Sequence, residues 1–167
     1  MKTVLRNMIA DYLEIPGLAE AKEYVLMGTG FKSLDESPGA KLDSTIYINN
    51  SSASSTITQY ETKFPFTADM IADEKALMAL YKVGRDHLTG ADAEFSLVRV
   101  DLYDETETKG TYNARLFKVC AEISDFKGNG GEKIEVSGNL NAVGDPVQGT
   151  FVVSTKKFTE AGAGVGA

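Results

Sequence analysis

His87 is the only histidine in the chain and Cys120 the only cysteine, so acid–base or nucleophilic catalysis would have to be built around these two residues. A metal site would rest on carboxylates alone. His87, with Asp86 and Thr89 beside it, stands where a helix is expected to end, and an exposed imidazole suits the negative end of a helix dipole. Cys120 lies among Phe117, Val119 and Ala121, with no second histidine to draw off its proton, and reads as a structural thiol. GTGFKS (Gly28 to Ser33) and GNGGEK (Gly128 to Lys133) lack Walker spacing followed by a helix. They read as a bulge and a hairpin turn. DLYDETE (Asp101 to Glu107) lacks the glycine and the closing glutamate of a calcium loop and reads as a solvated turn. The absence of tryptophan weighs against a sugar-stacking cleft between paired carboxylates. The inventory predicts a chain that is not an enzyme and needs no cofactor or metal.

Bulk properties narrow the class. The chain has 167 residues, 43% of them hydrophobic and 25% charged, as in an ordinary globular domain. Seventeen basic residues against 24 acidic ones give a formal charge of −7, which repels nucleic acid over about 8 Å at physiological salt. A sequence-reading DNA binder is disfavoured, whereas a surface past which DNA slides benefits from surplus acid. A lone cysteine forms no intramolecular disulfide, which points to assembly in a reducing cytoplasm. The first residues lack a signal peptide's apolar stretch and cleavage site, and no apolar run approaches the length of a membrane span.

The elements follow from periodicity. Val4, Leu5, Met8, Ile9, Tyr12 and Leu13 recur at spacings of three and four, so residues 1–22 are expected to form a short helix or an arm. Residues 33–55 hold the turn Ser37, Pro38, Gly39 and the polar stretch NNSSASS around a short strand centred on Ile46 and Ile48. This predicts a long exposed hairpin loop, a feature usually functional when it occurs in a compact domain. Thr56 to Phe66 alternates as a strand, with Pro65 expected at a sheet edge. Residues 73–88 are the predicted helix, its buried stripe Leu77, Leu80, Tyr81 and Gly84. Four strands follow, Glu94 to Tyr103, Tyr112 to Ile123, Lys133 to Ala142 and Val147 to Phe158, the last three expected as consecutive antiparallel hairpins. Residues 159–167, ending AGAGVGA, are expected as a flexible tail. The expected architecture is mainly β: one domain, an antiparallel β-sandwich or partly closed barrel with one packed α-helix, a long loop and extended termini.

YVLMGTGFKSLDESPGAK (Tyr24 to Lys41), FPFTADMIADEKALMALYKVGRDHLTGADAEF (Phe64 to Phe95) and VSGNLNAVGDPVQGTF (Val136 to Phe151) together resemble the major tail tube proteins of long-tailed, siphophage-type phages and prophages of Gram-positive bacteria, the likeness running from about Glu23 to Phe158. The resemblance implies a β-sandwich whose copies form six-membered rings, stacked helically into a hollow tube that conducts the genome into the host. It implies a place in the virion tail, assembly in the host cytoplasm, and as partners other copies of the chain, a tape measure protein, a tail terminator and distal tail or baseplate proteins. Double-stranded DNA would pass without specific binding, and no membrane is involved. The inner tube of a contractile tail or of a tail-like bacteriocin shares this logic. A monomeric β-sandwich binding module is the reading from another class, and it calls for an aromatic pocket.

Two surfaces are expected to matter. In the resembled family a long loop and the termini make contacts between rings, which selects Leu34, Asp35, Glu36, Pro38, Leu42 and Ile46 in the loop and Val4, Leu5 and Met8 at the N-terminus. A channel wall should offer nothing that grips phosphate, which selects Glu135, Ser137, Asn139 and Asn141 on one strand, or their counterpart at Gln59 and Glu61.

Overall fold

Leu97, Val98, Arg99 and Val100 are consecutive and all buried. Successive strand side chains point to opposite faces, so this strand must be covered on both sides. The computed structural model, which describes residues 3–16 and 22–162, shows how. In chain order the strands are β1 (Ile9–Pro16), β2 (Lys22–Leu26), β3 (Phe31–Leu34), β4 (Ala40–Thr45), β5 (Ser54–Tyr60) and β6 (Lys63–Asp69), then helix α1 (Lys75–Arg85). β7 (Glu94–Glu105), β8 (Thr111–Lys127), β9 (Glu135–Ala142), β10 (Val147–Val152) and β11 (Lys157–Glu160) complete the described chain. The main sheet is antiparallel in the order β2-β1-β7-β8-β9-β6-β3, with β10 on β8 and β11 on β10. It curls into a half-barrel, in agreement with the expected fold class.

The inside of the curl is filled by Leu13, Phe64, Leu77, Leu80, Leu97, Phe117 and Leu140, each contributing about 1.5–3 kcal/mol by leaving water. Phe64 and Phe117 meet edge to face at 4.9 Å, the arrangement that ring quadrupoles favour. Gly84 lets α1 lie close over this core, because a Cβ there would come within 2.9 Å of Ile123 and 2.8 Å of Phe126. On the other side of β7 and β1 a smaller cluster of Tyr12, Val98, Val100, Ala114 and Phe151 is buried.

The helix is shorter than the expected 73–88. Ile71 to Glu74 form a turn ahead of it, and it ends in a left-handed residue, His87 at φ 51°, with Leu88 N–H bonding the Val83 carbonyl. That is a helix stop normally made by glycine, here made by the exposed His87.

Four expectations are corrected. The N-terminal stripe is no helix: a single 3-10 turn at Arg6–Met8 leads into β1, which lies between β2 and β7. Tyr12 enters one cluster while Leu13 and Ile15 enter the other, and a strand buried on both faces loses its alternation and mimics a helical spacing. Residues 1–2 and 17–21 of the expected 1–22 arm lie outside the described residues. The run from Val147 to Phe158 is two strands, and β9 does not pair with β10. Both pair with β8, β10 along Thr111 to Leu116 and β9 along Val119 to Lys127. Of the expected tail 159–167, Thr159 and Glu160 belong to β11, and residues 163–167 lie outside the described residues. Finally, β6 with Pro65 is not at an edge but between β9 and β3. Proline is tolerated there because β3 ends at Leu34, and the Pro65 carbonyl accepts from Asp35 N–H just past that end.

Candidate assembly surfaces

Residues 33–55, expected as a long exposed hairpin loop, belong to an exposed two-stranded ribbon whose strands are regularly paired. Leu34 faces Phe66, Ser37 faces Lys63, Ala40 faces Tyr60 and Lys41 faces Gln59, all in one register. From Ser33 outward the β3–β6 ladder of the body therefore runs on into β4–β5 in one register as far as Lys41, slipping by one residue between Lys41 and Leu42. The expected strand at Ile46 and Ile48 is shifted: β4 ends at Thr45, and the chain reverses beyond it with Asn50 N–H bonded to the Tyr47 carbonyl.

The outer part of the ribbon is an arm. β4 and β5 pair only with each other among the described residues, and every residue of both is exposed. Leu42 is 67% exposed, Ile46 66% and Ile48 109%, and Tyr47, Ile57 and Tyr60 are open as well. From Ser44 to Tyr60 seventeen consecutive residues carry no charge. A lone two-stranded ribbon is marginal in water, and edge strands are ordinarily guarded by charge or proline. Here β5 carries no charge and no proline, and charge on β4 ends at Asp43, so the apolar side chains beyond it stand unguarded, which is the chemistry of a surface that gets covered.

At the arm's root is a buried ion cluster that sequence reasoning missed. Asp11 on β1 is 1% exposed and Arg99 on β7 is 4% exposed. Arg99 Nε donates to Asp11 Oδ1 at 2.7 Å and its Nη2 to Oδ2 at 3.1 Å, while Arg6 Nη2 donates to Asp11 Oδ2 at 2.7 Å. Both arginines also donate to the Leu34 carbonyl at 3.1 Å. Glu36 completes the set, accepting two bonds from Arg115 at 2.7 and 2.8 Å and one from Arg99 at 3.1 Å. The Arg99 guanidinium lies 5.1 Å from the centre of the Phe64 ring, a cation–π contact. Burial alone would raise the Glu36 carboxyl, but the hydrogen bonds and charge of Arg115, then those of Arg99, outweigh it and hold the group below the ordinary carboxylate range. The cluster bridges β1, β7, β8 and the β3–β4 connection. It stands beside a groove of about 610 Å³ where the half-barrel stays open between β1 and β3, lined by Ile9, Tyr12, Leu26, Met27, Phe31 and Leu102.

The expected assembly residues therefore separate. Leu42 and Ile46 lie exposed on the arm, with Pro38 and Asp35 exposed near its root. Leu34 is 2% exposed and part of the core, so it has no apolar surface left for a neighbour. Glu36 is held by its own chain's arginines. Val4 and Leu5 are exposed and Met8 half-buried, ahead of β1. The sheet face expected to line a channel exists on β9, where Glu135, Ser137, Asn139 and Asn141 point outward opposite buried Val136, Gly138 and Leu140. Asn141 donates to Glu122 at 2.9 Å and Glu135 pairs with Lys32. Gln59 and Glu61 are no counterpart to it, because they lie at the arm, bonded to each other at 3.1 Å.

The chemistry-bearing residues stay apart. His87 lies just past α1, Cys120 on β8 is half-buried, and among the described residues no three of His, Cys, Asp or Glu are grouped as metal ligands. No described helix is long and apolar enough to cross a membrane.

No protein-family model matches the chain, and no curated protein matches it. Among solved structures it is similar to a chain of the tail of an empty GTA particle, refined helically with C6 symmetry: TM-score 0.53 at 9% identity, over 86% of this chain and 97% of that one. A chain of the anti-feeding prophage baseplate, 6-fold symmetrised, gives TM-score 0.46 at 8% identity, over 84% and 90%. The first likeness is one of fold.

Proposed function

We propose that the chain is a structural subunit of a phage tail, joining copies of itself into six-membered rings that stack into a hollow tube for passage of the genome. The observation that carries this is the arm: an exposed ribbon, uncharged from Ser44 to Tyr60 and rich in open apolar side chains, whose strands pair only with each other among the described residues. It differs in shape and chemistry from the rest of the surface, so an arm from one copy meets a different surface on the next. Heterologous contacts of that kind close into rings or run on into helical filaments. The fold shared with a chain of a helical, C6-symmetric tail supports the reading. In it the protein resides in the virion tail of a siphophage-type particle, assembles in the host cytoplasm, and meets a tape measure protein, a tail terminator and distal tail proteins at the tube's ends. Electron microscopy of concentrated protein tests it: long uniform tubes are expected, and monomers at every concentration would overturn it.

The outer face of β9 is the proposed channel wall. Ser137, Asn139 and Asn141 offer short neutral groups and Glu135 an acidic one, so passing phosphates find no lasting partner. Ser137→Arg with Asn139→Arg is expected to leave tubes intact and to hinder genome ejection. Unchanged infectivity would show that this face lies elsewhere in the tube.

A further inference from the structure

We propose that Glu36, clamped by Arg99 and Arg115 where the ribbon leaves the half-barrel, is the positioning residue that sets the direction of the arm. The inference rests on the arm being the docking element of the proposed function.

The constant register from Leu34↔Phe66 to Lys41↔Gln59 places Glu36 across from Phe64. Cross-strand partners share a face, so Leu34, Glu36, Phe64 and Phe66 form the inward face of the ribbon. Leu34, Phe64 and Phe66 are buried. One step further out Pro38 is exposed, and both strands of the arm are exposed throughout. Glu36 is thus the last residue of the ribbon's first strand to bind the body. Beyond it the backbone link is the Ser37–Lys63 bridge, bonded both ways at 2.8 and 2.9 Å, then Glu61 N–H to the Gly39 carbonyl at 3.0 Å. Gly39 itself sits at φ 65° against the Glu61 backbone.

A two-stranded ribbon twists and bends readily, and backbone bonds between its own strands do not fix its angle to the barrel. The second strand is held to β9 as far as Thr62, whose carbonyl accepts from Ala142 N–H at 2.9 Å; the first strand has no neighbour on its other side among the described residues and needs a grip of its own. The carboxylate of Glu36 supplies it, held by a two-bond fork from Arg115 on β8 and a third bond from Arg99 on β7. A fork of parallel charge-assisted bonds fixes orientation as well as distance, which an apolar contact does not. Arg99 is itself immobilised by Asp11 and the Leu34 carbonyl, so the grip is anchored in the closed part of the fold.

The test separates positioning from stability. In a Cys120→Ser background, spin labels at Ser52→Cys on the arm tip and Ser154→Cys on the body report the tip-to-body distance at dilutions below assembly. The parent should give one narrow distribution. Glu36→Gln should broaden or shift it and raise the critical concentration for tubes about tenfold, the scale of one lost charge-assisted contact. Arg115→Gln, at a partly exposed position, should do the same, and the double variant should add little because both changes break one interaction. It also serves as the measurement if Glu36→Gln does not fold. An unchanged distance distribution in both variants overturns the proposal, even where tubes are lost through a lower unfolding midpoint. If the parent itself never forms tubes, the functional reading fails, while the tip distances still decide whether Glu36 aims the arm.

Discussion

Asp11→Ala is expected to destabilise the protein by about 3–5 kcal/mol, the largest effect of any single polar substitution in the fold. The reason is an asymmetry. Forming a buried ion pair yields little net stability because both charges lose their water, but removing one partner strands the other. Asp11 is the main acceptor for Arg99, which is 4% exposed, and for the inner Nη2 of Arg6. Without it, Arg99 retains Glu36, the Leu34 carbonyl and the Phe64 ring, which do not match a fork on a carboxylate. Typical domains hold only about 5–15 kcal/mol in total, so the variant should lie near the edge of folding. Chemical denaturation checks this, and a loss under about 1 kcal/mol would show that water reaches Arg99 freely. Asp11→Leu combined with Arg99→Met should recover most of the stability, since an apolar pair leaves no charge stranded.

The same cluster gives the protein a pH dependence of definite sign. Glu36 titrates lower in the folded state than in the unfolded one, so its contribution is complete above the unfolded carboxylate value near 4.5 and disappears as pH falls through the lower folded value. Unfolding midpoints measured between neutral and strongly acidic pH should therefore drop in the acid range, and by less in Glu36→Gln. A variant falling as steeply as the parent would assign the acid loss to other carboxylates.

What could be read in advance depended on whether a residue's surroundings lay close in sequence. The alternation of β9 and the heart of α1, Leu77 and Leu80, were legible because one face packs and the other meets water or polar neighbours. β1 was not, since its two faces enter two different clusters and its period vanishes. Asp11 and Arg99 are 88 positions apart, and nothing local announces a pair, although a lone charge within DYL and another within LVRV are the trace such a pair leaves. The exposed apolar character of the 33–55 segment was legible in Leu42 and Ile46. Its architecture was not, because the ribbon's register is set by β3 and β6 at its two ends and not by its own turn residues. The signal overlooked there was charge: seventeen uncharged residues in a chain one quarter charged.

That signal underlies the second large effect. Ile46→Asp with Ile48→Asp is expected to abolish tube formation while leaving the folded subunit as stable as before. Ile46 is 66% exposed and Ile48 fully exposed, and substitutions at such positions usually change folding stability by less than about 0.5 kcal/mol. In an assembled neighbour each would bury an isoleucine side chain, contributing about 1.5–3 kcal/mol, and each aspartate would add the cost of drying a carboxylate. Two positions together amount to at least about 3 kcal/mol, or more than a hundredfold in association at every contact. Because each ring would repeat the contact around its circumference, the loss multiplies and tubes should vanish at concentrations where the parent forms them freely. Sedimentation beside a melting curve separates the outcomes: the variant should sediment as a single subunit with an unchanged midpoint. Tubes of normal length from the double variant would mean that the arm is not what holds one copy to the next, and a lowered midpoint would mean that the arm is covered by its own chain.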